Sequence, residues 1–185
     1  KPITVLWRRL DAPGHDVCRF VAEKDGYALR GSAVFLESKQ ACELRYVVVA
    51  DAAFHTRRAV VSGFVGATKV DSRHRDTARK RWMVNGIEQP SLAGCIDLDL
   101  GFTPATNLLP IRRLALALGQ EAQAPAAYLA VPRMRFIVLP QRYKRLSRTE
   151  YEYESPTAHY RATLKVAASG MVVDYPEIFR REAGK

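Results

Sequence analysis

Between Asp97 and Leu114 the chain reads DLDLGFTPATNLLPIRRL: two acids two residues apart, a Thr-Pro-x-Thr-Asn turn, a second proline and a pair of arginines. Carboxylates and guanidinium forks this close in sequence can neutralise each other at a stiff corner. They can also face a ligand, the acids accepting hydroxyl groups and an arginine clamping an anionic head group. On a strand Asp97 and Asp99 point to the same side, roughly 6–7 Å apart, because each residue advances about 3.3 Å. That separation also suits the paired acids of glycoside hydrolysis. An enzyme acting on a small sugar-like or acidic substrate, with Asp97 and Asp99 as acid and base, is therefore the alternative to a binding role. Arg112 and Arg113 are adjacent and cannot both point the same way on a strand. At most one should pair the acids directly, which leaves the other for a ligand.

The neighbouring polar residues carry two readings each. Thr103, Thr106 and Asn107 are short side chains that bond nearby backbone groups and build turns, yet Asn107 can equally offer its amide to a ligand. Gln141 and Tyr143, two apart after Pro140, share a face if the strand continues. An amide beside a phenol can hydrogen-bond sugar hydroxyls while the ring packs on the sugar; a tyrosine at the edge of the core is the plainer account. Trp82 reads as a core residue, although Arg79 and Arg81 before it would also suit stacking on a sugar or base. The candidate ligand-binding set is Asp97, Asp99, Thr103, Asn107, Arg112, Arg113, Gln141 and Tyr143. No catalytic residue is assigned. Cys18, Cys42, Cys95 and the four histidines are widely spaced, so no metal site and no cofactor is expected. Glycine-rich phosphate loops and nucleophile elbows are absent from the sequence.

Positioning these residues falls to strands. Leu44, Tyr46 and Val48 alternate with Glu43 and Arg45; Met134, Phe136 and Val138 alternate with Arg133 and Arg135; Tyr160, Ala162, Leu164 and Val166 alternate with Arg161, Thr163 and Lys165. A period of two with one wet face is the mark of antiparallel sheet. Asp25-Gly26, Asn85-Gly86 and Ser169-Gly170 supply turns, and Pro132 and Pro140 bracket a strand. Helix is expected only in short pieces, around Ala105–Leu109 and over 178–182, with 111–118 ambiguous because its leucines alternate. The expected fold is all-β: a single domain, residues 1–185, built on one long curled antiparallel sheet (a spiral β-roll or half-barrel) with one or two short helices. A sheet that curls hides its edges and leaves a concave face for a ligand.

The chain has 185 residues, 48% hydrophobic and 26% charged, as globular proteins do. Its net charge of +10 comes from 21 arginines and 8 lysines against 19 acids. An anionic partner would exploit this, but the charges form no single run, with 73–81 and 142–148 the densest stretches. A solvated, arginine-rich surface is the simpler account, and no specific nucleic-acid partner is expected. No apolar run nears the roughly 20 residues of a membrane span, and Lys1–Trp7 is too short and strand-like for a secretory leader. Three cysteines cannot close a disulfide framework, so a cytoplasmic location is expected.

The corner segment, Gln141-Arg-Tyr143 and the closing Gly170-Met-Val-Val-Asp-Tyr-Pro176 together resemble the bacterial putative glycolipid-binding family. Its pattern runs from Asp-x-Asp into T-P-x-T-N-x-L-P-I-R-R-L, then Q-x-Y and G-x-V-x-D-Y-P. Those elements fall here on Asp97, Asp99, Thr103, Pro104, Thr106, Asn107, Pro110, Arg112, Arg113, Gln141, Tyr143, Gly170, Asp174, Tyr175 and Pro176. The resemblance implies a curled β-roll similar to periplasmic lipoprotein carriers and a lipid or glycolipid ligand. The chain departs from the pattern at Ala105, where an aromatic is expected, and at Leu108, where threonine is expected.

Overall fold

A computed structural model describes residues 1–76 and 81–184; the Arg79–Lys80 part of the basic stretch lies outside them. The chain opens with a meander: β1 (Ile3–Arg9), β2 (Gly14–Glu23), β3 (Gly26–Glu37), β4 (Gln40–Asp51), β5 (Thr56–Val65), β6 (Thr68–Asp76), β7 (Trp82–Val84) and β8 (Ile87–Glu88). It then leaves the meander for β9 (Asp97–Leu100), a 3-10 turn at Ala105–Asn107, helix α1 (Leu108–Leu114), β10 (Glu121–Gln123), β11 (Ala126–Ala130) and β12 (Arg135–Leu139). A second meander finishes it: β13 (Arg142–Arg145), β14 (Glu150–Ser155), β15 (Tyr160–Val166), β16 (Val172–Tyr175) and β17 (Phe179–Gly184).

Among the described residues, fourteen strands form one sheet in the order β10-β13-β14-β15-β16-β17-β1-β2-β3-β4-β5-β6-β7-β8. Every neighbouring pair in it is antiparallel, and the last strand, β17, joins the two meanders by pairing with the first, β1. The sheet curls without closing, as the alternating pattern predicts. Leu44, Tyr46 and Val48 are buried on its inner face while Arg45 is exposed. At the β7–β8 hairpin Asn85 and Gly86 take φ of 49° and 83°, the paired left-handed geometry a tight hairpin demands. No helix among the described residues is long and apolar enough to cross a membrane.

Two local expectations give way, one ambiguity is resolved, and the long sheet gains a companion. Residues 179–184 are strand β17, not helix, because β1 and β16 offer ladder partners on both sides and weak local preference yields to pairing. The strand expected over 133–138 begins only at Arg135: Met134 sits in a turn at φ 48°, Val138 is 39% exposed and Leu139 is buried. The ambiguous 111–118 stretch is helix to Leu114, where Ala115 stops it at φ 45°. Finally, the sheet is not the whole architecture. β9, which carries both aspartates, pairs in parallel with β11, and β12 completes a three-stranded mixed sheet. A parallel pair needs a long crossover, and residues 101–125, with α1, provide it.

This crossover unit fills the concavity. Leu98, Leu100, Phe102, Leu108, Leu109, Ala127 and Leu129 share one core with Val5, Trp7, Leu44, Tyr46 and Val48 of the long sheet. Ile111 and Leu116 join a second core with Tyr143, Tyr151, Tyr153, Leu164 and Val166. The indole N–H of Trp7 donates to the carbonyl of Val172 at 2.7 Å and that of Trp82 to Cys95 at 2.9 Å, so both tryptophans are structural. Phe102 stacks on Phe35 and meets Tyr46 edge-on, with ring centres 6.0 and 5.7 Å apart.

Gly31 in β3 makes this packing possible, since the ring of its cross-strand partner Tyr46 lies over the bare Cα. A methyl group there would overlap the ring, and the Tyr46 hydroxyl is held by Asp16 and Thr103. Gly31→Ala should therefore cost about 1–3 kcal/mol by overpacking. Urea unfolding measures this, and an unchanged midpoint would show that the ring moves freely.

Candidate functional site

The turn after β9 folds the corner back so that α1 lies beside the aspartates. Arg113 grips Asp97 with both arms, Nε to Oδ1 at 3.1 Å and Nη2 to Oδ2 at 2.5 Å. The side chains are 14% and 1% exposed, so this is a buried ion pair. Burial pushes the Asp97 carboxyl above its usual range, and the guanidinium opposes that shift. Successive residues on a helix point about 100° apart, and Arg112 accordingly turns elsewhere. Its guanidinium carbon lies 5.2 Å from the centre of the Phe54 ring.

The other polar residues of the corner find partners on separate elements. Gln141 donates from Nε2 to Asp99 Oδ2 at 2.5 Å, and Asn107 donates from Nδ2 to the hydroxyl of Tyr143 at 2.8 Å. Gln141 and Tyr143 are fully buried, so each backs the cleft residue it bonds. Thr106 accepts the backbone N–H of Leu100 at 3.3 Å. Thr103 donates to Asp16 at 2.5 Å and accepts the N–H of Ala105 at 3.0 Å, while the Tyr46 hydroxyl donates to Asp16 at 3.0 Å. Among the described residues no cation pairs with Asp16. Burial raises its pKa to about 7, only partly offset by these hydroxyls.

A cleft of about 400 Å³ opens beside the corner. Asp99, Thr103 and Asn107 line it from the crossover unit, joined by Tyr128, Tyr153, Tyr160 and Tyr175, with Ile137, Leu139, Ile178 and Phe179 as its apolar wall. Among the described residues on its lining, Asp99 is the one charged group. Burial raises the Asp99 pKa to about 6, opposed by the hydrogen bonds from Gln141 and Thr106 and reinforced by nearby Asp97. The rings of Tyr153, Tyr160 and Tyr175 pack on one another with centres 5.5–6.2 Å apart. The buried Ser155 hydroxyl, beside Tyr153, has no well-formed hydrogen bond among the described residues.

Of the eight candidate residues, the fold thus brings Asp99, Thr103 and Asn107 to the cleft and sets Gln141 and Tyr143 directly behind them. Asp97 and Arg113 are joined to each other, and Arg112 faces a different groove. The sequence reading missed the tyrosine wall. Only part of its signal is local: Glu150-Tyr-Glu-Tyr-Glu-Ser155 alternates so that Tyr153 and Ser155 share a face, while Tyr128, Tyr160 and Tyr175 come from other strands.

Two stability effects follow. Arg113→Gln strands a buried carboxylate and should cost about 3–5 kcal/mol, whereas the double change Asp97→Leu with Arg113→Met should restore most of it; urea unfolding of the three proteins checks this. Asp16 holds its proton more tightly when folded, so its contribution is full below pH of about 4 and is lost as pH rises to about 7. His74, buried with no hydrogen-bond partner among the described residues and lowered to about 4, acts in the opposite sense, losing stability as pH falls below about 6.5. Asp16→Asn should therefore raise stability near pH 7 by a few kcal/mol relative to its effect near pH 4. Equal effects at both pH values would refute the assignment.

The comparisons with known proteins accord with this architecture. A crystal structure of a DUF1089 family protein from Pseudomonas aeruginosa matches with a TM-score of 0.81 and 30% sequence identity, over 90% of this chain and 92% of that one. No curated protein matches. The family model described as putative glycolipid-binding matches residues 4–181, the same span from β1 to β17 that builds the sheet. The chain belongs to the putative glycolipid-binding family.

Proposed function

We propose that this protein binds an amphipathic ligand of the glycolipid class, with the sugar taken by the tyrosine-lined cleft at Asp99 and the lipid portion running along Ile137, Leu139 and Ile178. The observation that carries this reading is the composition of the cleft: four tyrosines, a single carboxyl group, amide and hydroxyl donors, and no cation among the described lining residues. Tyrosine faces pack against the C–H surfaces of a sugar, while carboxylate, amide and hydroxyl groups exchange hydrogen bonds with its hydroxyls. Gln141 and Thr106 hold the Asp99 carboxyl at the edge of the cleft, where it can accept a sugar hydroxyl. The family's description as glycolipid-binding supports the same reading. Exposed Ile137 of β12, at 42%, extends the apolar wall outward.

The hydrolytic alternative draws on the same acids but finds them with different tasks. Asp97 is committed to Arg113, and Asp99 alone borders the cleft. A binding role therefore uses the residues as they stand.

Mass spectrometry of gently purified protein should detect a co-purifying lipid, and neutral alkyl glycosides should bind in a fluorescence titration. Tyr160→Ala, at the half-buried edge of the wall, should weaken that binding about tenfold. A sugar hydroxyl donates best to the ionised acid, so affinity should fall as pH drops below about 6, and Asp99→Asn should abolish that dependence. Absence of lipid together with no binding across a glycolipid panel would sink the proposal.

A further inference from the structure

A second concave site lies at the other end of α1. Asn107 opens the helix at the tyrosine cleft, while Arg112 and Ala115 close it roughly 12 Å away at about 1.5 Å per residue. There, a groove of about 370 Å³ is bounded by Phe54, Ile111, Arg112, Ala115, Arg145, Arg148, Tyr151 and the β15–β16 turn at Ala167–Gly170. Three arginines enter it, and no carboxylate is among its lining residues.

Many arginines elsewhere in the molecule have an acid beside them. Arg9, Arg30, Arg45, Arg113, Arg142, Arg161 and Arg180 all pair with acids. Two of the three groove arginines are instead held by uncharged groups. Arg145 donates from Nη1 to the carbonyl of Leu116 at 2.8 Å and from Nε to that of Ser147 at 3.1 Å, with its guanidinium over Tyr151. Arg112 rests on Phe54, and its stem passes so close to Gly170 that a Cβ there would lie 3.2 Å from Arg112 Cδ. Fixed guanidinium groups without a counter-charge favour an incoming anion, because their ordering precedes binding and no internal acid has to be displaced.

We infer that the Arg112–Arg145–Arg148 groove binds a phosphate group, as free phosphate or as the phosphate of a lipid head group. Planar forks match the tetrahedral oxygens of phosphate two at a time. The groove shares no lining residue with the tyrosine cleft, so the inference stands apart from the proposed sugar site.

Two probes test it: inorganic phosphate, followed by heteronuclear NMR, and sedimentation with vesicles of phosphatidylglycerol in phosphatidylcholine. Exposed Arg19 on the outer face of β2 supplies a control, since Arg19→Gln removes the same charge at a distance. Arg148→Gln and Arg112→Gln should each weaken binding about tenfold while Arg19→Gln leaves it nearly unchanged. Shifts of the groove resonances by inorganic phosphate identify the free ion as sufficient, and arginine-dependent binding to vesicles alone identifies the lipid-borne group. No binding to either probe, or equal weakening by Arg19→Gln, would overturn the inference. Alkyl glycoside binding by the same arginine variants separates this outcome from failure of the tyrosine-cleft proposal.

Discussion

A fourteen-stranded sheet that curls but does not close has an apolar inner face too large to leave in water, and the rest of this fold answers that constraint. The chain fills the face with its own residues 97–139. Much of that stretch is turn, so burying it takes polar backbone and side chains away from solvent, where they need partners. Asp97 is matched by Arg113, Asp99 by Gln141, Asn107 by Tyr143 and Thr103 by Asp16. Much of the corner's polarity is thus the consequence of putting a turn inside a sheet.

The filling is incomplete, and both grooves arise where it ends. On one side of α1 the crossover unit stops short of β14, β15 and β16, and the gap is walled by tyrosines. On the other side Ala115 breaks the helix, and three arginines converge under the β15–β16 turn. The two environments differ in charge because the ion pair between them consumes Arg113 and Asp97. Asp99 is left as the lone acid of one groove and Arg112 as a free cation of the other. The fold therefore sorts the alternating charges of one short segment onto opposite ends of a two-turn helix.

Burial also sets the titration behaviour. Asp16 and Asp99 are raised because burial excludes water and, among the described residues, no cation pairs with them. His74 is lowered by burial: its ring meets Phe136 edge-on, with centres 4.4 Å apart, and neither ring nitrogen is hydrogen-bonded among the described residues. These shifts act in opposite directions on stability through the mildly acidic range. Asp16 and His74 lie on strands two and six, inside the same filled face, so one act of burial accounts for both.

The sheet was legible in the sequence because its signal is local. Leu44 and Tyr46 alternate with charged neighbours, Asn85-Gly86 has the chemistry of a tight turn, and the DLDLGFTPATNLLPIRRL segment carries a resemblance to the family whose model matches residues 4–181. Local pattern also supported the idea that the two arginines diverge. What it could not supply was the destination of each strand. Nothing in Asp97–Leu100 announces a parallel partner at Ala126–Leu129, and nothing in Phe179–Gly184 announces that β1 waits beside it. Nor could Tyr128, Tyr153, Tyr160 and Tyr175 be known to line one cleft. Periodicity reports which face of a strand is apolar, a property of neighbouring residues. Pairing, filling and the gaps they leave depend on contacts between residues far apart in the chain, and only the tertiary structure decided those.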